Sequence, residues 1–222
     1  MGGEMAFVCI SKRKGGVGAS TVAASLAGAW AGMGRSVVLI DSDPQQSAMY
    51  WGDVAEAENG ILSRVTRSAV HEDDTKLADV IEQAKAEADF VILDARPGLH
   101  VQTVTLAMES DVTLIPCGPS PLDLSPLRDM LSALHRLRAG RDRPEIGMVP
   151  TRFSERTRLG RELPGALEST AESLGAPAHI LPGLALRVGY AECVLEGLTP
   201  EEHGDVLQRE ARALAQAVEG ML

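Results

Sequence analysis

Aromatic residues supply only 3% of this 222-residue chain. A core built on stacked rings is therefore excluded, and Leu, Val, Ile and Ala must provide it. Cysteine is also scarce: Cys9, Cys117 and Cys193 are scattered, odd in number and without metal or redox spacing. That pattern fits a reducing compartment. Lysine is the rarest charge, with 4 Lys against 17 Arg, and two of the four, Lys12 and Lys14, lie within three residues of each other. The longest apolar-rich stretch, Val22 to Met33, is too short and too glycine-containing to span a bilayer. The beginning of the chain lacks the apolar segment and cleavage site of a signal peptide. A soluble cytoplasmic protein without a membrane partner is expected. The formal net charge of −10 repels nucleic acid at long range and excludes a protein that coats DNA with its whole surface. A local basic patch remains compatible with it.

What is present points to a packed α/β protein. Apolar residues make up 45% and charged ones 23%, and with no repeat, low-complexity tract or linker the expectation is a single domain over residues 1–222. Strand-like runs occur at 6–11, 36–41, 90–95, 111–117, 146–151 and 177–182, with a weaker one at 61–67. Several are apolar on both alternating sets, as central parallel strands covered on both faces are. Helical periodicities lie between them. Leu77, Val80, Ile81, Ala84 and Ala88 form one apolar stripe, and Leu127, Met130, Leu131, Leu134 and Leu137 another. Thr199-Pro200-Glu201-Glu202 has capping-box spacing and opens a last helix carrying Leu207, Ala211, Leu214 and Val218. The alternation predicts a doubly wound, mostly parallel sheet flanked by helices.

The first strand runs into KGGVGAST, Lys14 to Thr21, and then a helix. Gly15, Gly16 and Gly18 let backbone N–H groups turn inward around a phosphate, and the helix N-terminus adds its dipole. Ser20 or Thr21 then stands where a hydroxyl can ligate Mg2+. The next strand ends in Asp41 and Asp43, within LIDSDPQ, and a later one ends in Asp94, within FVILDARPG. Carboxylates at the carboxyl ends of parallel strands face the same crevice as the loop. There they can organise Mg2+ and orient an attacking water. An Asp-Pro turn would account for Asp43 alone but not for Asp41 as well.

KGGVG preceded by lysine, then DSDPQ, VILDARPG and PCGPSPLD, together resemble the ParA/MinD group of deviant Walker A P-loop ATPases, most closely its small partition members. The resemblance runs from Ala6 to the last helix. It implies an ATPase using ATP and Mg2+ that forms a homodimer with ATP, binds DNA non-specifically at the nucleoid, and answers to a small adaptor or centromere-binding protein. It implies that Lys14 reaches the partner's nucleotide, that Asp41 and Asp43 serve the metal and the water, and that Asp94 joins Ser20 and Asp41 at the metal. The loop Gly15, Gly16, Val17, Gly18, Ala19, Ser20 and Thr21 would hold phosphates. Pro119, Ser120, Pro121 and Asp123, with Thr151 and Arg152, would line the adenine. The segment Ala185–Gly197 would position nucleotide or DNA contacts.

In one respect the chain departs from that pattern. The lysine that reaches the β- and γ-phosphates falls at Ala19, so hydrolysis is expected to be weak or absent, and restoring lysine there to strengthen binding and turnover. For DNA the candidates are Arg187, Arg209 and Arg212; the mixed-sign run holding Arg152, Arg156, Arg158 and Arg161 could touch phosphate backbone and reads equally as a solvated helix entry. A MinD-like membrane-associated role would want a basic amphipathic tail, which QREARALAQAVEGML is not. A small-molecule ligase on the same fold would need a second substrate pocket. The five histidines show no ligand spacing, and Cys117 reads as a buried small residue.

Overall fold

The computed structural model describes residues 5–70, 76–138 and 141–222. The apolar runs become strands β1 Ala6–Ile10, β2 Val37–Asp41, β3 Thr66–Ala69, β4 Phe90–Asp94, β5 Val112–Cys117, β6 Glu145–Phe153 and β7 His179–Ile180. Their order across the sheet is β3-β2-β4-β1-β5-β6-β7, and β8, Leu184–Ala185, pairs with the end of β6. Every pairing is parallel. Because β1 lies between β4 and β5, successive connections leave it in opposite directions and open a crevice at its carboxyl end.

The period of two sorts the strand residues between two cores. Ala6, Val8 and Ile10 face α1 (Ala19–Gly32), α2 (Ser47–Glu58), α7 (Gly189–Glu196) and α9 (Asp205–Glu219). Phe7 and Cys9 face α3 (Lys76–Glu87), α4 (Val101–Glu109), α5 (Pro121–Arg138) and α6 (Arg158–Leu174). Helix α1 is buried along most of its length, and its alanines let it lie close to the sheet. At its far end Trp30 stacks on Phe90, ring centroids 3.9 Å apart, and its indole donates to Glu219 at 2.8 Å. Gly28 marks the closest crossing: a Cβ there would stand 2.6 Å from the Cβ of Thr199.

The structure alters four expectations. Residues 61–67 are not one strand: Ile61–Arg64 is a 3-10 turn that buries Leu62, and the edge strand begins at Thr66. The run at 177–182 pairs only through His179 and Ile180. Leu137 is exposed, since a three-residue step from Leu134 rotates it about 60° off the stripe. The last helix is two helices. The capping box opens α8, Pro200–His203, with Glu202 accepting from the Thr199 N–H at 2.8 Å, and Gly204 at φ 138 then interrupts the helix before α9.

Candidate functional site

The loop between β1 and α1 is held from both sides of the crevice. On one side, the backbone of Gly98 donates to the Lys12 carbonyl at 2.8 Å. On the other, the Thr151 hydroxyl donates to the Val17 carbonyl at 2.7 Å, and the Arg152 guanidinium donates to the Gly16 carbonyl. Arg152 adopts φ 52, a left-handed conformation that costs a non-glycine residue roughly 1–3 kcal/mol. Gly16 and Gly18, at φ 77 and 86, take left-handed turns at no steric cost. Helix α1 starts directly behind them, so its first N–H groups have no intrahelical acceptor. A cavity of about 360 Å³ lies over this loop, walled by Lys12, Gly15, Gly16, Gly18, Ser20 and Asp43 among others. Gln45 and Ser47 also line it. Gln45 closes the DSDPQ motif, whereas Ser47 carries neither a charge nor a recognisable spacing that would single it out.

Under the loop the polar groups are closely paired. The Ser20 hydroxyl donates to one oxygen of Asp94 at 2.6 Å, and the Lys12 ammonium donates to the other at 2.6 Å. The same ammonium stands 3.0 Å from Asp43. Lys12 is only 3% exposed and Asp94 is fully buried. Burial works against the Lys12 charge, but Asp94 and then Asp43 outweigh it and hold the ammonium above its ordinary pKa. The sequence showed Lys12 only as one of two lysines at the loop; its fold-back onto a residue 82 positions away was not visible.

Asp41 behaves differently from its neighbours. Its two oxygens accept backbone N–H groups from Asp43 and Ala48, each at 3.0 Å, with Met49 at 3.4 Å. It thus ties the start of α2 to the end of β2. Burial first, and the Asp94 charge second, raise its pKa to about 6. A raised carboxyl pKa gives stability that is full below the unfolded value and lost as pH rises through the folded one. Without nucleotide or Mg2+, the stability of the unaltered chain relative to Asp41→Asn should therefore fall by about 2 kcal/mol between pH 4.5 and 7. Urea unfolding of both proteins at the two pH values checks this; an unchanged difference would mean Asp41 carries no such penalty.

Among the described residues no three His, Cys, Asp or Glu side chains converge as a metal cage; His71 lies outside them. Mg2+ does not require such a cage, since it is commonly held by one or two protein groups together with substrate phosphates. The Ser20 hydroxyl beside Asp94 at the base of the glycine loop fits that demand. Bound there, the ion would polarise the phosphate oxygens.

The other candidate residues divide by position. Lys14 sits at the rim, 39% exposed, paired with Asp123 at 2.5 Å. Pro119, Ser120 and Pro121 stand on that same side, at the start of α5, and are not among the residues lining the cavity over the loop. A smaller cavity of about 70 Å³ opens on the opposite side, where Thr21, Thr151, Arg152, Leu186 and Tyr190 meet. Cys117 is buried, and its thiol is pushed up to about 12 by burial and then Asp123, which makes it unreactive. The proposed arginine patch is not a row of free cations. Arg187 donates to Glu210 at 2.8 Å, and Arg212 forks onto Glu201 at 3.0 and 3.1 Å. Each is spent on a carboxylate of its own chain. Arg209 stands exposed on the same helix as Arg212.

Residues 8–200 match the model of the CobQ/CobB/MinD/ParA nucleotide binding domain, CbiA. The chain belongs to this family. Maintenance of carboxysome distribution protein A of Halothiobacillus neapolitanus is 28% identical over 201 residues, 90% of this chain and 88% of that one. Among solved structures, an ATP complex of Cyanothece McdA superposes with a TM-score of 0.72 at 17% identity, over 99% of this chain and 97% of that one. The structure of pNOB8 ParA bound to nonspecific DNA does so with a TM-score of 0.66 at 16% identity, over 97% of this chain and 99% of that one. At these identities the two structures establish a shared fold. The family is one of nucleotide binding domains, and its ParA and MinD members are ATPases. Among the described residues no helix is long and apolar enough to cross a membrane.

Proposed function

We propose that this chain is an ATP-driven dimerising switch of the partition kind. In this reading ATP and Mg2+ on the glycine loop close two copies face to face, and the dimer binds DNA without sequence preference. A small adaptor or centromere-binding protein then stimulates hydrolysis, and a plasmid, chromosome or other cargo is moved over the nucleoid. The chain works as one cytoplasmic domain. Hydrolysis is slow, because position 19 offers no charge to the transition state.

The observation that carries the reading is the division of labour around the loop. The Ser20–Asp94 pair lies inside, under the glycines, whereas Lys14 stands outside on the rim. A lysine serving its own subunit's phosphates belongs within the cavity; one on the rim suits a partner's. Val101 and Leu122, 85% and 77% exposed, begin the helices that follow β4 and β5 at this same edge of the sheet, and they offer an apolar surface for closure. Asp43 is the group we assign to orienting water, with Asp41 holding the loop in place. A membrane-positioning role has less support, because α9 spends Leu207, Ala211, Leu214 and Val218 on the core.

Co-sedimentation with DNA in ATP, ADP or neither tests the proposal. DNA binding is expected with ATP alone and should fall with salt. Binding that ignores nucleotide, or no binding, would sink it and favour the membrane or ligase readings. With Arg187 and Arg212 spent, two other exposed cations stand as candidates, Arg156, which shares a cavity wall with Arg187, and Arg209. Charge reversal of both should weaken DNA binding and lower the salt slope by about two. Arg212→Glu should instead reduce stability, since it sets two carboxylates against each other. An unchanged salt slope in the double variant would place the DNA surface elsewhere.

A further inference from the structure

The site has a charge problem that the missing loop lysine makes acute. Asp41, Asp43 and Asp94 gather at the strand ends, and a nucleotide would bring further negative charge to the same crevice. Ala19, where a loop cation is expected, is 4% exposed and contributes its methyl to the core under α1. Two cations line the cavity over the loop, Lys12 and Arg152. The Arg152 guanidinium is committed to the Gly16 carbonyl from the outside. Lys12 is inside, and no sequence pattern assigned it a role.

The geometry of Lys12 is that of a stored charge. Its backbone is fixed at the end of β1 by the bond from Gly98. Its side chain reaches into the cavity wall and ends on Asp94 at 2.6 Å and Asp43 at 3.0 Å. An ammonium is a compact point charge on a flexible stem with three donors, so it can exchange one oxygen anion for another without backbone movement. Phosphate oxygens on the glycine loop would compete for it at close range. Mg2+ held by Ser20 and Asp94 would neutralise the carboxylate that Lys12 leaves.

We propose that Lys12 is the phosphate-binding cation of this site, held on Asp43 and Asp94 until nucleotide arrives and standing in for the lysine replaced by Ala19. The inference rests on the nucleotide reading above and adds the residue that makes the altered loop workable. It also revises the expectation for Ala19→Lys. A second ammonium beside Lys12 meets repulsion rather than an empty place, so that change alone should bring little.

Fluorescent ATP, ADP and AMP analogues titrated with Mg2+ into the full chain and three variants test this. The variants are Lys12→Met, Ala19→Lys and the double change. Lys12→Met should bind ATP and ADP about 10- to 100-fold more weakly, the loss of one charge-assisted bond. AMP, which lacks the β-phosphate, should be affected less than about twofold. Adding Ala19→Lys to Lys12→Met should restore most of the loss, whereas Ala19→Lys alone should gain less than about threefold. A merely structural Lys12 would weaken all three nucleotides alike and would not be rescued from position 19. Equal losses for AMP, unchanged ATP binding in Lys12→Met, or a tenfold gain in Ala19→Lys alone would each overturn the proposal. Should Lys12→Met fail to fold by circular dichroism, the Ala19→Lys arm still decides. Failure of the unaltered chain to bind any nucleotide is a separate result, and it overturns the nucleotide reading itself.

Discussion

Lys14→Ala is expected to bind nucleotide as a monomer and to give no ATP-dependent dimer. The side chain lies outside the cradle, so its removal leaves the glycine N–H groups, Ser20, Asp94 and Lys12 untouched. In the single chain Lys14 makes an ion pair with Asp123 at 2.5 Å, part-exposed and therefore worth little to stability. In a closed dimer the same charge would be desolvated against phosphate. Truncating one member of a buried, hydrogen-bonded charge pair at an interface costs about 2–5 kcal/mol, enough to abolish a dimer of ordinary affinity. Sedimentation velocity with ATP and Mg2+ reads the outcome directly. A normal ATP dimer in the variant would falsify the assignment of Lys14 to the partner's nucleotide.

Asp94→Ala should have the largest effect on the chain by itself. Asp94 is fully buried and holds both Lys12 and Ser20. Removing it leaves the ammonium with Asp43 alone and the Ser20 hydroxyl without its acceptor. Breaking a buried pair in this way typically costs about 3–5 kcal/mol. Relief of the repulsion felt by Asp41 offsets part of that cost. For a chain of this length the melting temperature should fall by on the order of 10 °C. The variant should also lose the dependence of nucleotide affinity on Mg2+. Asp94→Asn, which keeps an acceptor for Ser20, should fall between the two. A melting temperature within experimental scatter of the unaltered chain would mean that Lys12 is adequately paired by Asp43, and the energetic picture of the site would need revision.

The sequence made the central strands and the glycine loop legible because their signals are local. Val37–Asp41 and Phe90–Asp94 are apolar on both faces and end in carboxylates, and nothing distant is needed to read that. The same holds for the capping box at Thr199. What escaped was decided across the chain. Arg187 and Arg212 read as free cations until their partners came into view, Glu210 and Glu201, 23 and 11 residues away. Arg209, by contrast, is exposed, as its place in the pattern suggested. Gly204 looked like a tolerable glycine inside an amphipathic pattern, yet its φ of 138 lies outside any helix and divides that pattern in two. What else Asp41 does was hidden for a related reason. A carboxylate at a strand end carries no mark in the sequence of the Ala48 and Met49 N–H groups that the fold brings onto it.

The clamp of Thr151 and Arg152 on the Val17 and Gly16 carbonyls has a directional consequence. A trans peptide points its carbonyl and its N–H to opposite sides. Anchoring those two oxygens to the end of β6 therefore aims the N–H groups of Val17 and Gly18 away from β6. The far strand acts as a splint that sets the loop's polarity during folding. An arriving anion then meets donors already oriented, and the ordering entropy has been met before binding begins.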